Sequence, residues 1–272
     1  MNIQNNILAL NAQGQLLKNS LTLSNSLEKL SSGYKINRAG DDAAGLAISE
    51  KMRSQIAGLD MSSRNALDGV SMIQTAEGSL TEVNSMLGRM AELATQSSNG
   101  IYSDTERQAL NDEFQQLKSE IDRVAQSTNF NGKNLLDGSM SLNLQIGDTS
   151  NNYNLMGVSV GDMSTKGLGL ADIGIDTAEG AGAAMGALKD TINAVSAQRA
   201  SLGAGQNRLD HTISNLAVTS ENLIASESQI RDTDMAMEIM NFTKSSILQQ
   251  ANLAMLAHAN LVPQGVMSLL RG

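Results

Sequence analysis

The chain has no cysteine, no tryptophan and a single proline, Pro263, and aromatic rings make up only 2% of its 272 residues. Without cysteine there is no disulfide framework, no thiolate metal site and no thiol nucleophile. The rings are Phe114, Phe130, Phe242, Tyr34, Tyr102 and Tyr153, too few for a thick globular core, which ordinarily buries several of them. One proline leaves nearly the whole chain free to be helical. No apolar run reaches the roughly eighteen residues of a transmembrane helix, so no membrane insertion is expected. The start Met1-Asn2-Ile3-Gln4 lacks the basic and apolar regions of a cleaved secretory signal, so conventional secretion is not expected. Clusters of Lys and Arg are missing too, and with a net charge of −9 the chain is not expected to bind nucleic acid.

Constellations that carry chemistry are equally scarce. His211 and His258 are the only histidines, and no His-Glu-x-x-His pair exists, so no metal site is expected. His258, four positions after Ala254 on an apolar row, reads as a packed interface residue. Gly33, Gly40 and Gly45 are not followed by Gly-Lys-Ser/Thr and make no phosphate loop. No Gly-x-Ser-x-Gly elbow organises a nucleophile, and neighbours such as Asp41 and Asp42 point apart on a helix. The expectation is no catalytic site, no cofactor and no enzyme.

What the chain has is Leu, Ile, Val, Ala and 15 Met. Met52, Leu59, Ala66, Ile73, Leu80, Leu87 and Ala94 fall seven apart, with Ile56, Val70 and Ala91 in a complementary row. A second row runs through Leu188, Val195, Leu202, Leu209, Leu216, Leu223 and Ile230; the row beside it is mostly polar, with Arg199, Gln206, Ser220 and Glu227. Such heptads predict two long coiled-coil helices. A shorter helix carries Leu110, Phe114, Leu117, Ile121 and Val124, with Asp104 as its expected cap. Asn129 to Gly132 breaks the pattern, and alternation through Leu142, Leu144 and Ile146, then Tyr153, Leu155, Val158 and Val160, predicts a β-hairpin. The glycine-rich stretch that follows reads as a loop tolerant of insertion.

Both ends are amphipathic, with Ile3, Ile7, Leu10, Leu17 and Leu21 near the start and Met240, Ile247, Ala254 and Leu261 near the end. Two terminal helices that pair with one another bury one face each, and the apolar remainder requires other subunits. The expected fold is mainly α, a long coiled-coil helical bundle rod with a small β-hairpin and paired N- and C-terminal helices. Its expected domains are 1–40 with 234–272, and 41–233 with the hairpin at about 140–160. Arg38, Asp41 and Asp42 lie where a linker meets a helix start, the place of an N-terminal cap and of a brace at the joint between the domains.

The segment Leu30-Ser31-Ser32-Gly33-Tyr34-Lys35-Ile36-Asn37-Arg38-Ala39-Gly40-Asp41-Asp42-Ala43-Ala44-Gly45-Leu46-Ala47-Ile48-Ser49 resembles the N-terminal signature of bacterial flagellins. Ile73-Gln74-Thr75-Ala76-Glu77-Gly78, Gln206-Asn207-Arg208-Leu209, Ile230-Arg231-Asp232-Thr233-Asp234 and Ser268-Leu269-Leu270-Arg271 resemble further flagellin segments. The resemblance implies a self-polymerising subunit of the flagellar filament, used for swimming, with the terminal helices as the filament core. It implies export by the flagellar type III apparatus with an export chaperone, an extracellular location, and cap and hook-junction proteins as partners. Only about forty residues separate the halves where flagellins often carry large variable domains, so a short form is expected. The segment Leu87-Gly88-Arg89-Met90-Ala91-Glu92-Leu93-Ala94-Thr95-Gln96 resembles the one read by the flagellin-sensing Toll-like receptor of animals, which implies an epitope of Arg89, Leu93, Gln96 and Glu113. The alternative is a secreted junction protein or adhesin of the same helical family.

Overall fold

The structure is a computed structural model that describes the backbone of residues 6–271 and the side chains of 6–262. Ile3 lies outside the described residues. Five helices dominate: α1 (Ile7–Ser32), α2 (Ala43–Ser97), α3 (Asp104–Ser127), α4 (Ala178–Arg231) and α5 (Met235–Arg271). Four short strands lie between α3 and α4: β1 (Asn129–Phe130), β2 (Lys133–Asn134), β3 (Ser141–Gln145) and β4 (Leu155–Ser159). The chain forms two compact units, 1–54 with 221–272, and 55–220. The breaks between helices fall at 33–42 and 232–234, whereas the units divide within α2 and α4.

In unit 55–220 the heptad rows become the core. Leu59, Ala66, Ile73, Leu80, Leu87 and Ala94 of α2 are buried, as are Leu188, Val195, Leu202, Leu209 and Leu216 of α4. Each fully buried leucine or isoleucine contributes about 1.5–3 kcal/mol. The polar row of α4 turns to α2: Arg199 Nη2 lies 3.6 Å from Glu77 Oε1, and Ser220 Oγ donates to Asp60 Oδ1 at 3.5 Å. Residues 60 and 77 thus face 220 and 199, so α2 and α4 run antiparallel, and the polar pairs mark their register.

The start of α3 differs from expectation by one residue. Ser103 is the N-cap, and the Glu106 carboxylate accepts from its backbone N–H at 2.7 Å and its hydroxyl at 3.0 Å. Those donors hold the Glu106 carboxyl below its ordinary range. Asp104 contributes its charge to the first turn instead.

Strands β1 and β2 form an unanticipated hairpin, with Phe130 opposite Lys133. Asn131 at φ 51° and Gly132 at φ 77° make the left-handed pair that a two-residue turn requires. The anticipated hairpin pairs β3 with β4, from Ser141 opposite Ser159 to Gln145 opposite Leu155. On β4 it is Met156 and Val158 that are buried, continued by Val160, whereas Tyr153 and Leu155 are exposed.

Segment 160–177 is not a loose loop. Val160, Met163, Thr165, Leu170 and Ile175 are buried, and α3 grips the backbone between them. Lys118 Nζ donates to the carbonyls of Ala171 at 2.8 Å and Ile173 at 3.1 Å, and burial pushes its ammonium below the usual lysine value. Asp122 Oδ1 accepts from the Thr165 N–H at 2.8 Å, and Asn111 Oδ1 accepts from the Ile175 N–H at 3.1 Å. Arg107 spans the α2–α3 turn, donating to the carbonyls of Ser97 and Tyr102.

Candidate functional site

The terminal helices α1 and α5 pack together antiparallel, with Asn6 Nδ2 donating to the Ala259 carbonyl at 2.7 Å at one end and Tyr34 bridging Asp232 at the other. Buried and half-buried positions on α1 are Ala9, Ala12, Leu16, Asn19, Leu23, Ser26 and Leu30, alternating by three and four. On α5 they include Phe242, Ser245, Gln249, Asn252, Leu256 and Ala259. This is a heptad seam made largely of small and polar side chains.

The apolar rows legible in the sequence lie elsewhere. Ile7, Leu10, Leu17 and Leu21 are all exposed, Leu10 by 71%, and helical geometry places them on the side of α1 opposite the seam. Met240, Ile247 and Leu261 of α5 are exposed, as is Ala254. The pair thus carries apolar rows on its outside as well as Leu16, Leu23, Leu30, Phe242 and Leu256 in its seam. His258 is exposed on α5.

The joint between these helices and their neighbours is a compact knot. Gly33, at φ 77°, ends α1 in the left-handed cap that favours glycine. Asp41 Oδ2 accepts from the N–H groups of Asn37 and Arg38, both at 3.0 Å, and these bonds hold its carboxyl below the usual range. Asp42 Oδ1 accepts from Ala44 at 3.1 Å and Gly45 at 2.9 Å, the N-terminal cap of α2. Arg38 Nε donates to Glu28 Oε1 at 2.9 Å, tying the linker to α1.

Three further residues complete the knot. Arg231 donates to Glu50 Oε1 at 2.6 Å, and its guanidinium stands 4.9 Å from the Tyr34 ring centroid. Its carbonyl accepts from Lys35 N at 2.6 Å. Sequence reasoning quoted Tyr34 and Arg231 within motifs and gave them no role; no periodic signal joins them across nearly 200 positions. A side chain at Gly45 would meet Asp42 Oδ2 at 2.6 Å and Ile36 Cδ1 at 2.8 Å, so a larger residue would displace the capping carboxylate or Ile36.

The residues drawn from the receptor-like segment separate into two environments. Arg89 is exposed and donates to Glu113 Oε1 at 2.9 Å and Glu92 Oε2 at 3.0 Å, bonds that raise its already high basicity. Gln96 is exposed and donates to the Tyr102 hydroxyl at 3.1 Å, beside a shallow depression bounded by Gly88, Ala91 and Tyr102. Leu93 is fully buried and belongs to the core, so Arg89, Gln96 and half-buried Glu113 form the surface without it.

Among the described residues, no group of three or more His, Asp or Glu is placed to hold a metal ion, and no helix is long and apolar enough to cross a membrane. Long antiparallel helices and a terminal pair with apolar rows on its outside define a helical structural subunit. Residues 3–141 match the bacterial flagellin N-terminal helical region, and 185–270 match the C-terminal helical region. The chain is 52% identical to a flagellin of Halalkalibacterium halodurans over 272 residues, and 47% identical to a flagellin of Bacillus subtilis over 306 residues, covering 100% of each chain in both cases. The crystal structure of Bacillus cereus flagellin aligns with 56% of this chain and 88% of that one, at 32% identity and a TM-score of 0.51. The chain belongs to the bacterial flagellin family: it is a self-polymerising structural subunit of the flagellar filament, in a short form without a large outer domain.

Proposed function

We propose that the outward rows Ile7, Leu10, Leu17 and Leu21 of α1 and Met240, Ile247, Ala254 and Leu261 of α5 are the surface through which subunits stack. One observation carries the reading: large apolar side chains face away from the seam their own helices make. Exposed apolar rows of this extent are a liability unless another chain covers them. Ile3, seven positions before Leu10, extends the row in sequence. The role is mechanical, and no catalysis is assigned. Replacing Leu261 or Leu17 by Asp should leave folded, soluble subunits by circular dichroism and abolish filaments in electron micrographs. Filaments of normal yield would overturn the assignment.

The joint residues Arg38, Asp41 and Asp42 act as a brace that sets the path of the chain from α1 into α2. Arg89, Gln96 and Glu113 are the exposed members of the receptor epitope implied by resemblance, with Leu93 supporting them from below. Export through the flagellar type III apparatus with a chaperone, an extracellular location, and contacts with cap and hook-junction proteins belong to the same reading.

A further inference from the structure

With no cysteine in the chain, methionine thioethers are its oxidisable sulfur; Met52, Met86 and Met185 are half-buried, and Met235, at the start of α5, is 45% exposed. Met72, Met90, Met140, Met156 and Met163 are buried in unit 55–220. On α5, Met237 is 57% exposed, Met240 65% and Met255 62%. Met237 and Met255 are 18 positions apart, five full turns, and so share one angular position. Met240 lies within one turn of Met237, and exposed Ile247 and Leu248 fall on the same side. Met240 therefore sits in the outward row, and Met237 and Met255 border it on the side of Leu248. Met61, 52% exposed in the other unit, is off this face.

We infer that Met237, Met240 and Met255 are oxidation sites through which peroxides control subunit assembly. The inference rests on the assembly face proposed above, and the occupant of that face is a second copy of this chain. In each event a lone pair on the thioether sulfur attacks one oxygen of hydrogen peroxide. The S–O bond forms as the O–O bond breaks, and a proton shifts to the departing oxygen, which leaves as water. Sulfur loses two electrons and the peroxide gains them.

The product sulfoxide is a strong hydrogen-bond acceptor on a chain that had been apolar and adaptable. Free in water it is readily solvated. Covered by the aliphatic row of a neighbouring subunit it has no donor, so oxidation penalises the stacked state and leaves the free subunit folded. Within a filament the same contact excludes peroxide, so the three thioethers are protected once assembly is complete.

The test treats purified subunits and intact filaments with hydrogen peroxide and maps sulfoxides by peptide mass spectrometry. In subunits, Met61, Met237, Met240 and Met255 should oxidise ahead of the buried methionines, and circular dichroism should be unchanged. The concentration of unassembled subunit at equilibrium should rise about tenfold or more. Methionine sulfoxide reductases should restore assembly, and in filaments the three α5 sites should oxidise more slowly than in free subunits. In a variant carrying Met237→Leu, Met240→Leu and Met255→Leu, which keeps Met61, peroxide should leave the unassembled concentration at the value the same variant shows untreated. Normal assembly of subunits with confirmed sulfoxides at all three sites would overturn the inference, as would equal loss of assembly in the leucine variant. If Leu261→Asp also polymerises normally, the assembly face itself fails; if Leu261→Asp is blocked, only the oxidation control fails.

Discussion

Leu93 lies four positions beyond Arg89 on α2, yet it is fully buried where Arg89 is exposed. Its truncation to Ala should cost about 2–5 kcal/mol through the cavity it leaves, read as a lower thermal midpoint of unit 55–220. Gln96→Ala, on the surface, should leave that midpoint nearly unchanged. If receptor signalling falls in both variants, only the Gln96 result reports on direct contact. A second residue-scale outcome concerns Asp41, whose folded carboxyl is held below its ordinary 3.8 by the N–H groups of Arg38 and Asn37. A depressed acid contributes stability that is present above the unfolded value and lost as pH falls through the folded one. Amide exchange at Asn37 and Arg38 should therefore accelerate, relative to intrinsic rates, on acidification below about 3.8. Asp41→Asn should flatten that dependence.

Segment 160–177 and the β3–β4 turn both invite insertion on glycine and polar content, and the structure separates them. Residues 148–151 at the turn are exposed, and lengthening such a loop adds only slowly to its closure entropy. About ten Gly/Ser residues placed between Ser150 and Asn151 should leave the melting temperature nearly unchanged. The same insert between Leu168 and Gly169 should draw Ala171 and Ile173 away from Lys118 and strand a buried ammonium, at a cost of about 1–3 kcal/mol. The grip of α3 was illegible because Lys118 and Asp122 look like solvated helix charges, and their partners are backbone groups about fifty positions away. Leucine and isoleucine at seven-residue spacing, by contrast, announced one buried row of α2 and one of α4, while the second buried row of α2, Ala76, Val83 and Met90, fell outside the expected one of Ile56, Val70 and Ala91. The same rule gave the outer face of α1 and missed its seam, where Leu16, Leu23 and Leu30 are also seven apart but the row beside them is Ala12, Asn19 and Ser26.

The two halves of the family signature lie at opposite ends of the chain, and the α1–α5 pair brings them together. The proposed stacking surface is a property of helix faces rather than of a cleft, and seven-residue spacing is the signal that makes it legible. The 47–52% identity over entire flagellin chains ties the molecule to filament building.

The interrupted seam of the terminal pair has a kinetic corollary. A hairpin whose Leu16, Leu23, Leu30 and Leu256 are interrupted by Asn19, Ser26, Ser245 and Asn252 holds itself together less firmly than an unbroken apolar seam, so part of the free energy that orders it is released only when a neighbour covers its outer rows. Two free subunits must both bear that ordering cost at encounter, whereas an existing filament end offers one partner already in place. Growth should then show a lag in light scattering that short filament seeds abolish, a threshold set by serine and asparagine where leucine would have erased it.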